Sequence, residues 1–333
     1  MAGKTETAVI TMPHGRAMIC NDEGECAGVF RIAFDSYDEA FRAAALGDLT
    51  GYADECQKVC EGNGSYDKRK WIGLTKVWPR RTWQSFEGLA GLVNENWQEG
   101  LDILEGFEQD LVDAGLREPS SRLRQPKWDD CYGDEVCWDR MRSGQDFWRT
   151  SQRSFKASAA EVTILLDMGQ NWNHDWKDSI WRCAAGTACA IALEKSGYAV
   201  EIHAVHRSNG LFTGGKERLN NFFNSIKLKS FGQPLDRSLV VNVCSGWFLR
   251  TVGFRLLSVA TMQNKRRFGG IVSSLGSHRT PTTHDCLFVT PDENCFVFAN
   301  VWNKSDALAS AKAAIKSVDP EMFYEADQEA MSI

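Results

Sequence analysis

Long apolar runs are missing from this chain. None approaches the roughly 18 residues that span a bilayer, and the opening MAGKTETAVITMPHG has no apolar core of a secretory leader. The expectation is a cytoplasmic protein with no membrane partner. Charge of one sign is also lacking. Lys and Arg number 38 against 44 Asp and Glu, a formal balance of -6, so nothing draws the chain as a whole to a polyanion. Eleven cysteines are present, but no Cys-x-x-Cys knuckle. The pairs Cys20/Cys26, Cys56/Cys60, Cys131/Cys137 and Cys183/Cys189 are wrongly spaced for a zinc finger or ribbon. With an odd count and no leader, free buried thiols are expected. No Gly-x-Ser-x-Gly elbow and no His-Glu-x-x-His occurs, and there is no internal repeat. Catalysis has no positive sign in the sequence.

What is present centres on Val162–Val205. Val162–Leu166 is a short apolar run of the kind that forms a strand buried on both faces. A polar turn follows, Asp167-Met168-Gly169-Gln170-Asn171, and then a helix predicted from about Asp175 to Lys195, closed by Ser196-Gly197. Cys183, Ala184, Gly186, Ala188, Ile191 and Ala192 line one side of that helix, and small side chains let it lie close on a sheet. Tyr198–Val205 reads as the next strand, completing a βαβ unit.

Around this unit the chain divides into a mainly helical region over 1–116, a linker or docking arm over 117–157, an α/β domain over 158–318 and an acidic tail over 319–333. Ile19–Ile32 reads as a hairpin about Asn21-Asp22-Glu23-Gly24. Ser36-Tyr37-Asp38-Glu39 is a capping box ahead of a short helix. Trp97, Leu101, Leu104, Phe107 and Leu111 recur at helical spacing before Gly115. Trp128–Arg153, dense in Trp, Asp and Arg, reads as an arm docked on the α/β domain. Leu235-Asp236 opens an apolar helix that continues past Gly253. Cys286–Thr290 and Cys295–Phe298 are strands joined by a turn at Pro291–Asn294, and Ser305 caps a last helix.

The order of buried strand, Asp-x-small-x-polar turn, long helix and strand resembles the von Willebrand factor A fold, over about residues 162–317. The resemblance implies a Rossmann-like α/β sheet with helices on both faces and a contact surface at the sheet top for adhesion or complex assembly. Members of that family hold a divalent metal with Asp-x-Ser-x-Ser plus a Thr and an Asp from later loops. Here Asp167 matches the first position, Gly169 stands in place of the first Ser, and Asn171 replaces the second. Asp236, Thr290 and Asp292 lie in the later loops. The site is therefore degenerate. The expectation is no cofactor, Mg²⁺ being the ion that Asp167, Asn171 and Asp236 would hold. Beside this stands the plainer reading that Asp167 caps the following helix or bonds nearby backbone amides. More faintly, Gly133-Asp134-Glu135-Val136 with Arg140 and Gly144 is similar to a pattern in uncharacterised phage-encoded proteins, which would place the chain in the cytoplasm of a bacterial host.

Three other patterns carry chemistry. Gly210–Glu217 fits Gly-x4-Gly-Lys, but Glu217 stands where a phosphate loop needs Ser or Thr, so a glycine-rich strand-to-helix loop is expected. His203 and His206, three apart on one strand, face opposite sides. Lys68, Arg69, Lys70, Trp71, Arg80, Arg81 and Trp83 interleave cations with aromatic rings, a composition suited to stacking bases and neutralising phosphates.

The expectation drawn from these residues is a non-catalytic interaction or assembly protein with an unidentified protein partner. Its contact surface would be the sheet top, at Asp167, Gln170, Asn171, His174 and Asp236. Two alternatives remain open: a nucleic-acid-binding protein using 68–83, and a metal-dependent hydrolase centred on Asp167.

Overall fold

The computed structural model describes residues 7–10, 14–20, 29–46, 97–117, 127–129, 135–136, 141–145, 148–150, 160–169, 176–213, 219–263, 272–274, 277–282 and 294–323. They form a mixed α/β structure about one sheet. In chain order the elements begin with β1 (Thr7–Ile10), β2 (Arg16–Cys20), β3 (Val29–Phe34), α1 (Tyr37–Ala45) and α2 (Gln98–Asp113). Next come β4 (Lys127–Asp129), β5 (Glu135–Val136), β6 (Trp148–Thr150), β7 (Glu161–Asp167), α3 (Trp176–Lys195), β8 (Ala199–Thr213) and β9 (Leu219–Lys229). The rest are α4 (Arg237–Val243), α5 (Gly246–Phe248), a π turn at Leu249–Gly253, α6 (Phe254–Gln263), β10 (Val272–Ser274), β11 (Ser277–Arg279), β12 (Cys295–Phe298) and α7 (Lys304–Val318).

The main sheet runs β1-β2-β3-β9-β8-β7-β12, with β10 and β11 also pairing to β8. β7 lies parallel to β8 and to β12, as the βαβ reading requires, whereas β8 and β9 form an antiparallel pair. β7 is buried from Val162 to Asp167. The crossover helix α3 sits tight against it. A Cβ on Gly186 would lie 2.1 Å from Leu166 Cδ2, so the smallest side chain sets how near the helix comes. Ala184, Ala188 and Cys183 are buried on the same helix.

Strand alternation sorts the core. Val162, Ile164 and Leu166 of β7, Phe222 and Ile226 of β9 and Phe30, Ile32 and Phe34 of β3 join one cluster, which also holds the buried residues of α1, α2, α3, α4, α6 and α7. Leu165, Val205 and Phe223, one residue out of phase, form a second cluster on the opposite face. Among the described residues every helix of the core joins the first cluster, so the expectation of helices on both faces is met on one face only.

The N-terminal region, read as mainly helical, opens with three strands before its described helices α1 and α2. β1, β2 and β3 are strands, and β3 pairs parallel to β9 from Val29/Asn221 to Phe34/Ile226. Their short length and the alternation of Val29-Phe-Arg-Ile-Ala-Phe34 explain the difference, because Phe30, Ile32 and Phe34 need a facing core to bury them. The hairpin pairing Cys20 with Val29 and the helix capped by Ser36 follow the sequence reading. Residues 117–157, expected as a linker, contain a small three-stranded sheet in the order β4-β6-β5. The tail from Asp319 is anchored at its start. Arg117 N donates to Met322 O at 2.8 Å, and Phe323 is buried. α7 is capped by Asn303, whose Oδ1 accepts from Asp306 N at 2.9 Å, and not by Ser305. Finally, Gly210–Thr213 lies within β8, residues 214–217 lie outside the described residues, and the next described element is the antiparallel strand β9 and not a helix. This removes both the phosphate loop and the strand-to-helix loop. The expected strand Cys286–Thr290 lies outside the described residues.

No helix among the described residues is long and apolar enough to cross a membrane.

Candidate functional site

The carboxyl end of β7 is where the buried polar groups gather. Asp167 is the last residue of the strand, opposite Val205 in the ladder, and is 1% exposed. Its Oδ1 accepts from the Gly169 amide at 2.8 Å. Its Oδ2 accepts from Arg182 Nη1 at 2.9 Å and meets His278 Nε2 at 2.8 Å. Each donor arrives on a different element. Gly169 is in the turn, Arg182 on α3, and His278 on β11. β11 pairs with β8 through His278/Ser208, just beyond the level at which β7 has ended, so it takes over the vacated edge.

Gly169 has a steric task here. A Cβ at this position would stand 2.0 Å from His278 Cδ2 and 2.4 Å from Nε2. Any side chain at residue 169 would push the imidazole off the carboxylate. The residue that departs from the metal-binding pattern is therefore the one that admits histidine.

Arg182 is as deeply buried as its partner, at 1%. Its guanidinium carbon lies 4.6 Å from the centroid of the Trp302 ring, a cation–π arrangement. Its Nε and Nη2 have no hydrogen-bond acceptor among the described residues. His278 stacks on His206, with centroids 6.1 Å apart and planes inclined 19°. Nearby, the Cys244 thiol pKa is pushed up by its hydrogen bond to Cys183 and by burial; the charges of Cys183 and Asp167 add to the rise, and Arg182 acts against it. Removing one partner from such an ion pair leaves an uncompensated charge in the interior, which costs about 3–5 kcal/mol.

These residues do not fit a hard divalent cation. Mg²⁺ asks for near-octahedral oxygen ligation, yet both oxygens of Asp167 already face donors, and one of those donors is the Arg182 guanidinium. Among the described residues no three His, Cys, Asp or Glu side chains are grouped to hold a metal. Asp236 is not brought to the cluster. β9 runs antiparallel to β8 and leaves the sheet away from the Asp167 end, and Asp236 then caps α4 by accepting from Leu239 N at 2.9 Å. Gln170, Asn171, His174, Thr290 and Asp292 lie outside the described residues, as does the whole basic, Trp-rich stretch 68–83. Asp167 does bond a nearby backbone amide, that of Gly169.

Sequence reasoning missed Arg182 and His278. Arg182 sits on the small-residue side of a helix, where a cation is unexpected, and His278 lies in a polar stretch far along the chain. It also missed a second buried group on the other face. Glu201 Oε1 meets His203 Nε2 at 2.6 Å, Glu201 Oε2 meets Lys227 Nζ at 3.0 Å, and Ser225 Oγ lies 3.3 Å from His203 Nδ1. Burial by itself would raise the Glu201 pKa, but the hydrogen bonds and charges of His203 and Lys227 outweigh it and hold the carboxyl below its usual range. Serine, imidazole and carboxylate fall in a line, yet Ser225 is 1% exposed, and the arrangement ties β8 to β9. His203 and His206 do face opposite sides. One joins this tie, and the other stacks on His278 and contacts Phe222.

A family model described as a domain of unknown function, DUF7192, matches residues 16–319. No curated protein and no solved structure matches the chain.

Proposed function

The chain belongs to the DUF7192 family, and on that premise we propose that it is a non-catalytic interaction or assembly protein that uses the top of a von Willebrand A-like sheet. The observation that carries this reading is the β7-α3-β8 unit, with parallel strands and a carboxylate at the strand end where the following helix begins. Open α/β sheets gather ligands at that end. Asp167 is buried and paired with Arg182, so the reading assigns contact to the residues that follow it in sequence, Gln170, Asn171 and His174, and not to the carboxylate itself. Its committed oxygens lend no support to a metal-dependent hydrolase.

The test is affinity capture from the native host with the tagged full chain and with the Gln170→Ala/Asn171→Ala/His174→Ala variant as baits. Samples are treated with nuclease and divided between Mg²⁺ and EDTA. The expected result is a discrete protein held by the wild type in every arm and lost by the variant. A partner that disappears with nuclease would replace this reading with nucleic-acid binding through Lys68, Arg69, Arg80 and Arg81, and binding would then fall steeply with salt. Baits that return with no partner would count against assembly.

A further inference from the structure

We propose that Arg182 supplies, from within the chain, the positive charge that a divalent cation would otherwise supply at Asp167, with His278 as a second hydrogen-bond partner, so that the sheet top is held in shape without a metal. The inference rests on the von Willebrand A-like reading of β7 and its turn. The carboxylate oxygen that would face an ion instead accepts from a guanidinium and meets an imidazole, at 2.9 and 2.8 Å. Neither group is there by accident of a flexible surface. Arg182 is 1% exposed and stacked on Trp302, and the His278 side chain is 8% exposed and stacked on His206.

Gly169 determines which of the two arrangements the site can hold. A serine there would offer a hydroxyl ligand, but its Cβ would overlap the His278 ring. The imidazole and a side chain at 169 therefore exclude each other. The exchange also has a structural consequence. A metal can leave, whereas Arg182 and His278 are covalently part of α3 and β11, so the brace that joins β7, α3 and β11 persists whatever the surrounding ion concentration.

The experiment follows the thermal unfolding of the full chain and the electron paramagnetic resonance of added Mn²⁺. In the wild type we expect the six-line signal of aqueous Mn²⁺ to stay undiminished and the midpoint to be the same in Mn²⁺ and in EDTA. Arg182→Ala should unfold at a lower temperature and recover part of the loss in millimolar guanidinium or Mn²⁺, either of which can enter the vacated cation position. Wild-type protein that depletes the Mn²⁺ signal, with the depletion abolished by Asp167→Asn, would overturn the inference. So would an Arg182→Ala protein as stable as wild type. If that variant does not fold, the wild-type titration still decides. Mn²⁺ bound at Asp167 would sink the substitution of charge while leaving the sheet-top function standing. A failed partner search would do the reverse.

Discussion

At Asp167 one carboxylate serves three donors from three parts of the chain, and Glu201 repeats the pattern on the other face with His203 and Lys227. Glu201 gives the pH dependence that can be assigned to a single group. Its pKa is held below the usual carboxylate range in the folded chain, so in the unfolded chain it binds a proton first as pH falls. The stability it contributes is therefore fully present above the unfolded value, about 4.3, and is lost as pH drops through the folded one. Glu201→Gln should flatten this part of the acid limb. The check is the unfolding free energy by urea titration at a series of pH values from neutrality downward; a variant with the wild-type slope would remove Glu201 from the account. Little of this was legible beforehand. Glu201-x-His203 is visible as two polar residues on one strand face, but Lys227 and Ser225 reach them only through the antiparallel register of β8 and β9.

Elements follow local rules where the rules are local. The capping box at Ser36, the helical spacing from Trp97 to Leu111, the β7-α3-β8 crossover and the start of α4 at Asp236 were all readable, because each depends on neighbours within a turn or two. The final helix shows how narrow the margin is. Asn303 and Ser305 are both good capping residues, and only the former has Oδ1 on the amide three residues on, at Asp306. Asn303→Ala should then cost about 1 kcal/mol and Ser305→Ala only a few tenths, since a cap satisfies amide groups that a helix start otherwise leaves bare. Equilibrium denaturation of the two variants compares them directly, and equal losses would place the cap elsewhere. β8 is the opposite case. Gly210-Leu-Phe-Thr213 looks like a loop by composition and is strand by virtue of β9 and β10, partners that no local window contains.

On the scale of the molecule, the N-terminal strands and the α/β unit are one sheet. β3 is flanked by β2 and β9, and β9 by β3 and β8. A fragment limited to residues 158–318 would expose the edge of β9 and leave Phe222 and Ile226 without Phe30 and Phe34 beside them. It is expected to be insoluble, or to lose the cooperative thermal transition of the whole chain, by size-exclusion chromatography and circular dichroism. A soluble, cooperatively folding fragment would support the separate α/β domain over 158–318 that the sequence suggests. The pairing of residue 30 with residue 222 leaves no trace in any stretch short enough to read, so the sequence could not show that the two regions share a sheet. The same pairing sets a timetable for synthesis. A ribosome adds about 5–20 residues per second, so roughly ten to forty seconds separate the emergence of β3 from that of β9. Throughout that interval β3 has only β2 to lie against, and the nascent chain must keep the other, apolar edge from its neighbours on the same message until its own later half arrives.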